Sequence, residues 1–115
     1  MNKILAFVIA GVFLGTGSLF ADNSEVGKYE QGKSLYNDKC QLCHGIKGDG
    51  NGSSAAIFSP RPTDFTSPKF WQNAVDKKIA DTIKNGKKPM PSFDLTADET
   101  KAIIDYISHA FKPSG

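Results

Sequence analysis

The sequence predicts an all-α fold, and three observations carry that prediction. Apolar residues recur at helical spacing in several segments, a capping box opens the last of them, and no stretch alternates apolar with polar residues long enough to make a strand. With 115 residues the chain has room for one compact unit.

The first residues read as an address. Lys3 supplies a positive start, Ile4 to Leu14 is an apolar run, and small and polar residues follow from Gly15 to Ser18. Cleavage is expected after Ala21, so residues 1–21 are a secretory signal peptide and residues 22–115 the mature domain. Glycines and polar residues break the apolar run well short of the roughly 20 residues that span a bilayer, so no membrane span is expected in the mature protein.

Glu25 to Lys39 carries Val26, Tyr29, Leu35 and Tyr36 at helical spacing with charged residues between them, and this first helix runs into Cys40. Glycines crowd Gly45 to Gly52, and Pro60 and Pro62 follow, so the next region is loop. A long loop in a small domain usually wraps something. Ser67 and Pro68 fit the N-cap and first position of a short turn containing Phe70 and Trp71. Asp76 to Asn85 is the next helix, burying Ile79 and Ile83 and stopping at Gly86, a residue suited to a left-handed C-cap. After the loop Lys87 to Leu95, Thr96 and Glu99 form the capping box of the last helix. Its stripe is Ile103, Ile104, Ile107 and Phe111, and Pro113 ends it.

The net charge of +2 includes Lys3, which departs with the leader, so charge gives no reason to expect a nucleic-acid partner. The chain holds two cysteines, in Cys40-Gln41-Leu42-Cys43-His44. In this pattern two thiols add to the vinyl groups of a haem and the adjacent histidine offers its imidazole to the iron. A thioredoxin-like pair would need a strand–helix context that is absent, and zinc would need further ligands at close spacing that the sequence lacks. One covalent haem c is therefore expected, held by Cys40 and Cys43 with His44 as the proximal ligand.

Met90 is the sole methionine once the leader is removed, and Pro89 and Pro91 stiffen the segment around it. A thioether is a neutral, soft ligand that favours reduced iron, so Met90 is the expected distal ligand. His109 competes for that position, but a histidine near a helix C-terminus is ordinarily solvent-facing and gains from the helix dipole.

With these residues in view, the sequence resembles class I monohaem cytochrome c, the small bacterial form, over nearly all of residues 22–115. Beyond the attachment motif and Met90, the likeness includes Gly32 and Tyr36 on the first helix, facing Ile103 and Tyr106 on the last. The resemblance implies three to five helices wrapped around one haem. It also implies a proline carbonyl bonded to the second nitrogen of the proximal histidine, from Pro60 or Pro62. Phe58, Phe65, Trp71, Ile79, Ile83 and Phe93 are candidate pocket walls, and Arg61 is a candidate partner for a propionate.

The resulting expectation is a monomeric one-electron carrier, not an enzyme, working in the bacterial periplasm through transient docking with redox proteins. An electron-transfer subunit of a larger periplasmic dehydrogenase or oxidase uses the same haem site. A five-coordinate gas-binding or peroxidatic protein would require Met90 to leave the iron. Lys77, Lys78, Lys84, Lys87 and Lys88 gather before Met90 as either a docking patch for an acidic partner or a solvated face.

Overall fold

The computed structural model describes Gly11, Gly15 and residues 23–115. Apart from those two glycines, the expected leader lies outside the described residues. Four α-helices follow in order: α1 (Asn23–Lys39), α2 (Gln41–His44), α3 (Val75–Asn85) and α4 (Ala97–Phe111), with 3-10 turns at Ala55–Ile57 and Pro68–Trp71. Among the described residues there is no strand, only an isolated bridge between Lys87 and Met90. The fold is all-α, as the sequence predicts.

The first and last helices cross where α1 has no side chain. A Cβ on Gly32 would overlap the carbonyl oxygen of Ala102 and touch the Cβ of Tyr106, so only glycine permits this approach. On α1 the buried stripe is narrower than the apolar pattern suggests. Val26 is exposed and Leu35 half-buried, while Gly32 and Tyr36 are buried with Tyr29 beside them. These three stand at i, i+3 and i+7, one face of a helix. Tyr36 has no exposed surface, and its ring lies 5.3 Å from both Tyr106 and Phe111. Ring pairs at such separations add to the area they bury.

Helix α3 buries Val75, Ile79 and Ile83 at i, i+4 and i+8, and α4 contributes Ala102, Ile103, Ile104, Tyr106 and Ile107. With Tyr36 and Phe65, all of these side chains except Ala102 form the core cluster. The capping box at α4 is complete: Glu99 N–H donates to Thr96 Oγ1 at 3.1 Å and Thr96 N–H to Glu99 Oε1 at 3.2 Å. Two expected caps differ. Ser67 makes no side-chain cap, and the turn it precedes is 3-10. Gly86 has a positive φ of 71° but an extended ψ of 168°, because the chain turns directly into the Met90 segment in place of completing a left-handed cap.

Candidate haem-binding site

A four-residue helix such as α2 cannot satisfy its own terminal carbonyls, and other groups must do so. The glycine-rich loop does this in register: Ser54 N–H donates to Leu42 O at 3.0 Å, Gly52 N–H to Cys43 O at 3.0 Å and Gly50 N–H to His44 O at 2.9 Å. The loop is thereby zipped along the attachment motif. Gly45 begins the reversal at φ 89°, a conformation that side-chain-bearing residues rarely adopt.

Both cysteines are free and partly exposed. Burial pushes the Cys40 thiol up to about 11, with Lys39 pulling it down and Cys43 raising it, so the sulfur stays protonated near neutral pH. His44 is buried, and its ring stacks on Phe65 with centroids 4.6 Å apart at 19°. Nδ1 lies 3.0 Å from the carbonyl oxygen of Thr63. Burial lowers the imidazole's pKa and the Thr63 bond opposes that shift, leaving a neutral ring that donates from Nδ1 and keeps the Nε2 lone pair free. The Thr63 carbonyl replaces the expected Pro60 or Pro62 partner. Pro62 instead directs the chain so that the following residue faces the ring. Phe65 is itself fixed: its N–H donates to Gly48 O at 2.7 Å, and Trp71 Nε1 donates to its carbonyl at 2.7 Å.

Met90 lies on a tight turn after α3. Its N–H donates to Lys87 O at 2.8 Å and its carbonyl accepts from Lys87 N–H at 3.0 Å, while Phe93 N–H donates to Ile83 O at 2.8 Å and ties the segment to α3. Met90 is half-buried, stands outside the core cluster, and is flanked by exposed Pro89 and Pro91.

Of the other candidates, Phe65, Ile79 and Ile83 are buried, whereas Phe58, Trp71 and Phe93 are half-buried. Arg61 donates to Asn51 Oδ1 at 3.2 Å. His109 is exposed, with its ring 5.2 Å edge-on from Tyr29. In the lysine cluster, Lys77 is paired with Asp81 at 2.7 Å, and Lys78, Lys84, Lys87 and Lys88 are exposed.

The donor set fits a covalently attached macrocycle. Among the described residues no three His, Cys, Asp or Glu side chains converge to hold an ion. Two free thiols and one imidazole with a single available nitrogen match separate tasks on one flat cofactor. Sequence reasoning missed the loop zipper and the Thr63 carbonyl, since both depend on where the chain returns after α2.

Comparison with known proteins agrees. The family model described as cytochrome c oxidase, cbb3-type, subunit III matches residues 27–107. A cytochrome bc1 complex cytochrome c subunit from Corynebacterium diphtheriae is 28% identical over 97 residues; the match covers 82% of this chain, which spans only 31% of that protein's length. Cytochrome c6 from Euglena gracilis is 24% identical over 78 residues, covering 66% of this chain and 85% of that protein. The match over most of the chain, on an all-helical frame, makes this a small class I c-type cytochrome, an electron-transfer protein of the family with covalent haem c.

Proposed function

We propose that the protein is an exported, monomeric one-electron carrier of the bacterial periplasm, with its haem attached through Cys40 and Cys43 and ligated by His44 Nε2 and Met90 Sδ. The observation that carries this reading is the buried Nδ1···Thr63 O bond, which leaves Nε2 as the one free ring nitrogen beside the two thiols. When bound, the haem supplies a one-electron couple. The chain's residues set its surroundings. Thr63 fixes the tautomer and orientation of His44, Phe65 covers the imidazole face, and the turn at Lys87–Met90 presents a neutral thioether that favours the reduced state. Exposed Leu42, Ile46 and Ile57 surround the attachment motif with apolar surface suited to brief contact with a redox protein. In this reading residues 1–21 are a leader removed on export. No helix among the described residues is long and apolar enough to cross a membrane.

Optical spectra of the purified protein test the assignment. Haem that resists acid-acetone extraction, sharp low-spin reduced bands, the weak red charge-transfer band of a thioether on ferric haem and indifference to carbon monoxide are expected. Extractable haem would defeat the thioether links, and avid carbon monoxide binding would remove Met90 from the iron and favour a gas-binding or peroxidatic role.

A second reading is that the chain serves a larger oxidase or dehydrogenase, favoured by the family description and by the corynebacterial relative's place in a bc1 complex. Stable co-migration with a catalytic subunit on native electrophoresis of periplasmic and membrane fractions distinguishes it from a free carrier.

A further inference from the structure

Tyr36 touches the attachment motif at both of its ends. Its backbone carbonyl accepts from Cys40 N–H at 2.8 Å, and its side-chain hydroxyl donates to the carbonyl of Gly45 at 2.6 Å. The five residues from Cys40 to His44 are thus bracketed by one residue of α1. Its ring has no exposed surface and is wedged against Tyr106 and Phe111 of α4. Burial holds the phenol's pKa well above its ordinary value, so the hydroxyl remains a donor throughout the neutral range.

We propose that Tyr36 is a positioning residue for the iron-binding histidine, its hydroxyl setting the strength of the His44–Thr63 bond by fixing the Gly45 carbonyl next to His44. The inference rests on His44 being an iron ligand. Besides its own N–H bond to the Cys40 carbonyl, three bonds define where His44 sits: Gly50 N–H on its carbonyl, Thr63 O on its ring and Tyr36 Oη on the next carbonyl. The first two come from loop segments, whereas Tyr36 comes from a helix locked into the core. It is a side-chain hydrogen bond from the rigid part of the molecule to the residue that follows the histidine, beside the stacking of His44 on the core residue Phe65. Removing the hydroxyl leaves the Gly45 carbonyl with only the longer bond from Gly48 N–H, at 3.1 Å, and frees the backbone of this turn to shift. The ring of His44 then moves off Thr63, its Nδ1–H bond weakens, and the imidazole becomes a poorer electron donor to ferric iron. The reduction potential rises.

The test is Tyr36→Phe in the haem-loaded protein, with Tyr106→Phe as the control. The control removes a hydroxyl from the same ring cluster, but one for which no bond to the motif is made. At a fixed ambient potential near the wild-type midpoint, Tyr36→Phe is expected to raise the reduced-to-oxidised ratio by about threefold. Tyr106→Phe is expected to leave it unchanged. Should Tyr36→Phe fail to accumulate, 3-fluorotyrosine at position 36, a stronger donor of similar shape, is expected to shift the ratio in the opposite direction. A Tyr36→Phe protein with a lowered unfolding midpoint and an unchanged ratio overturns the proposal, leaving Tyr36 a packing residue. Equal shifts from both variants also overturn it, by assigning the effect to general polarity. Failure of the ligation reading is distinct: the wild-type protein itself would then lack low-spin bands.

Discussion

His44 is held from the first helix, the glycine loop and the Thr63–Phe65 segment, whereas Met90 is held by the backbone of its own turn and by the neighbouring bond from Phe93 to α3. The histidine side is buried and stacked; the methionine side is half-buried, flanked by exposed prolines and outside the core. The difference teaches that the two sides are prepared by different means. On one side the protein supplies position through packing and hydrogen bonds from three segments. On the other it restricts backbone freedom, with two fixed φ angles beside Met90, and places the side chain outside the packed core.

The largest effect is expected from breaking the frame behind the histidine. Gly32→Val would drive a branched side chain into the Ala102 carbonyl, and overpacking against backbone should cost about 3 kcal/mol or more, measured by chemical denaturation. Wild-type stability in that variant would mean that α1 and α4 do not meet at Gly32. Met90→Ala should do much less to folding. Its side chain is half-buried and outside the core, so the core packing should stay as it is, while the haem-loaded variant should now take up carbon monoxide. A haem-loaded variant that still excludes carbon monoxide, or one that no longer folds, would erase the contrast between the two sides.

The smallest effect is a pH dependence to which the ring cluster behind the histidine contributes. Burial raises the phenols of Tyr36 and Tyr106 above their ordinary value of 10.0. Above that pH the unfolded chain has released protons that the folded chain still binds, so the stabilisation is complete below it and declines as pH rises. Unfolding midpoints taken between about pH 9 and 11 should fall, and fall less steeply in Tyr106→Phe. An unchanged slope in that variant would remove Tyr106 from the account.

Much of this was legible from residue spacing. The Ile103–Ile104–Ile107 stripe, the Thr96–Glu99 box and the Ile79–Ile83 pair each depend on neighbours within two turns, so local sequence specifies them. Cys40, Cys43 and His44 are legible because adjacent residues perform the attachment. Thr63 was not, because its carbonyl is a backbone group that every residue owns, and which one meets His44 depends on how the loop is tethered at Gly50 and Phe65. Val26 misled for the reciprocal reason. It has the right periodicity, but α4 crosses α1 nearer Gly32 and leaves it uncovered.

The Gly32–Ala102 crossing joins the first helix to the last. Nearly all of the cofactor-binding chain is looped out between the two helices, so the clasp is a contact of high sequence separation and its closure is entropically costly. A chain emerging from a ribosome or a translocation channel in order presents the Cys40–His44 motif long before α4 exists. The motif is therefore open during the interval when the molecule cannot yet close. Closure seals behind the histidine what was accessible during synthesis, and the order of residues along the chain becomes an order of assembly in time.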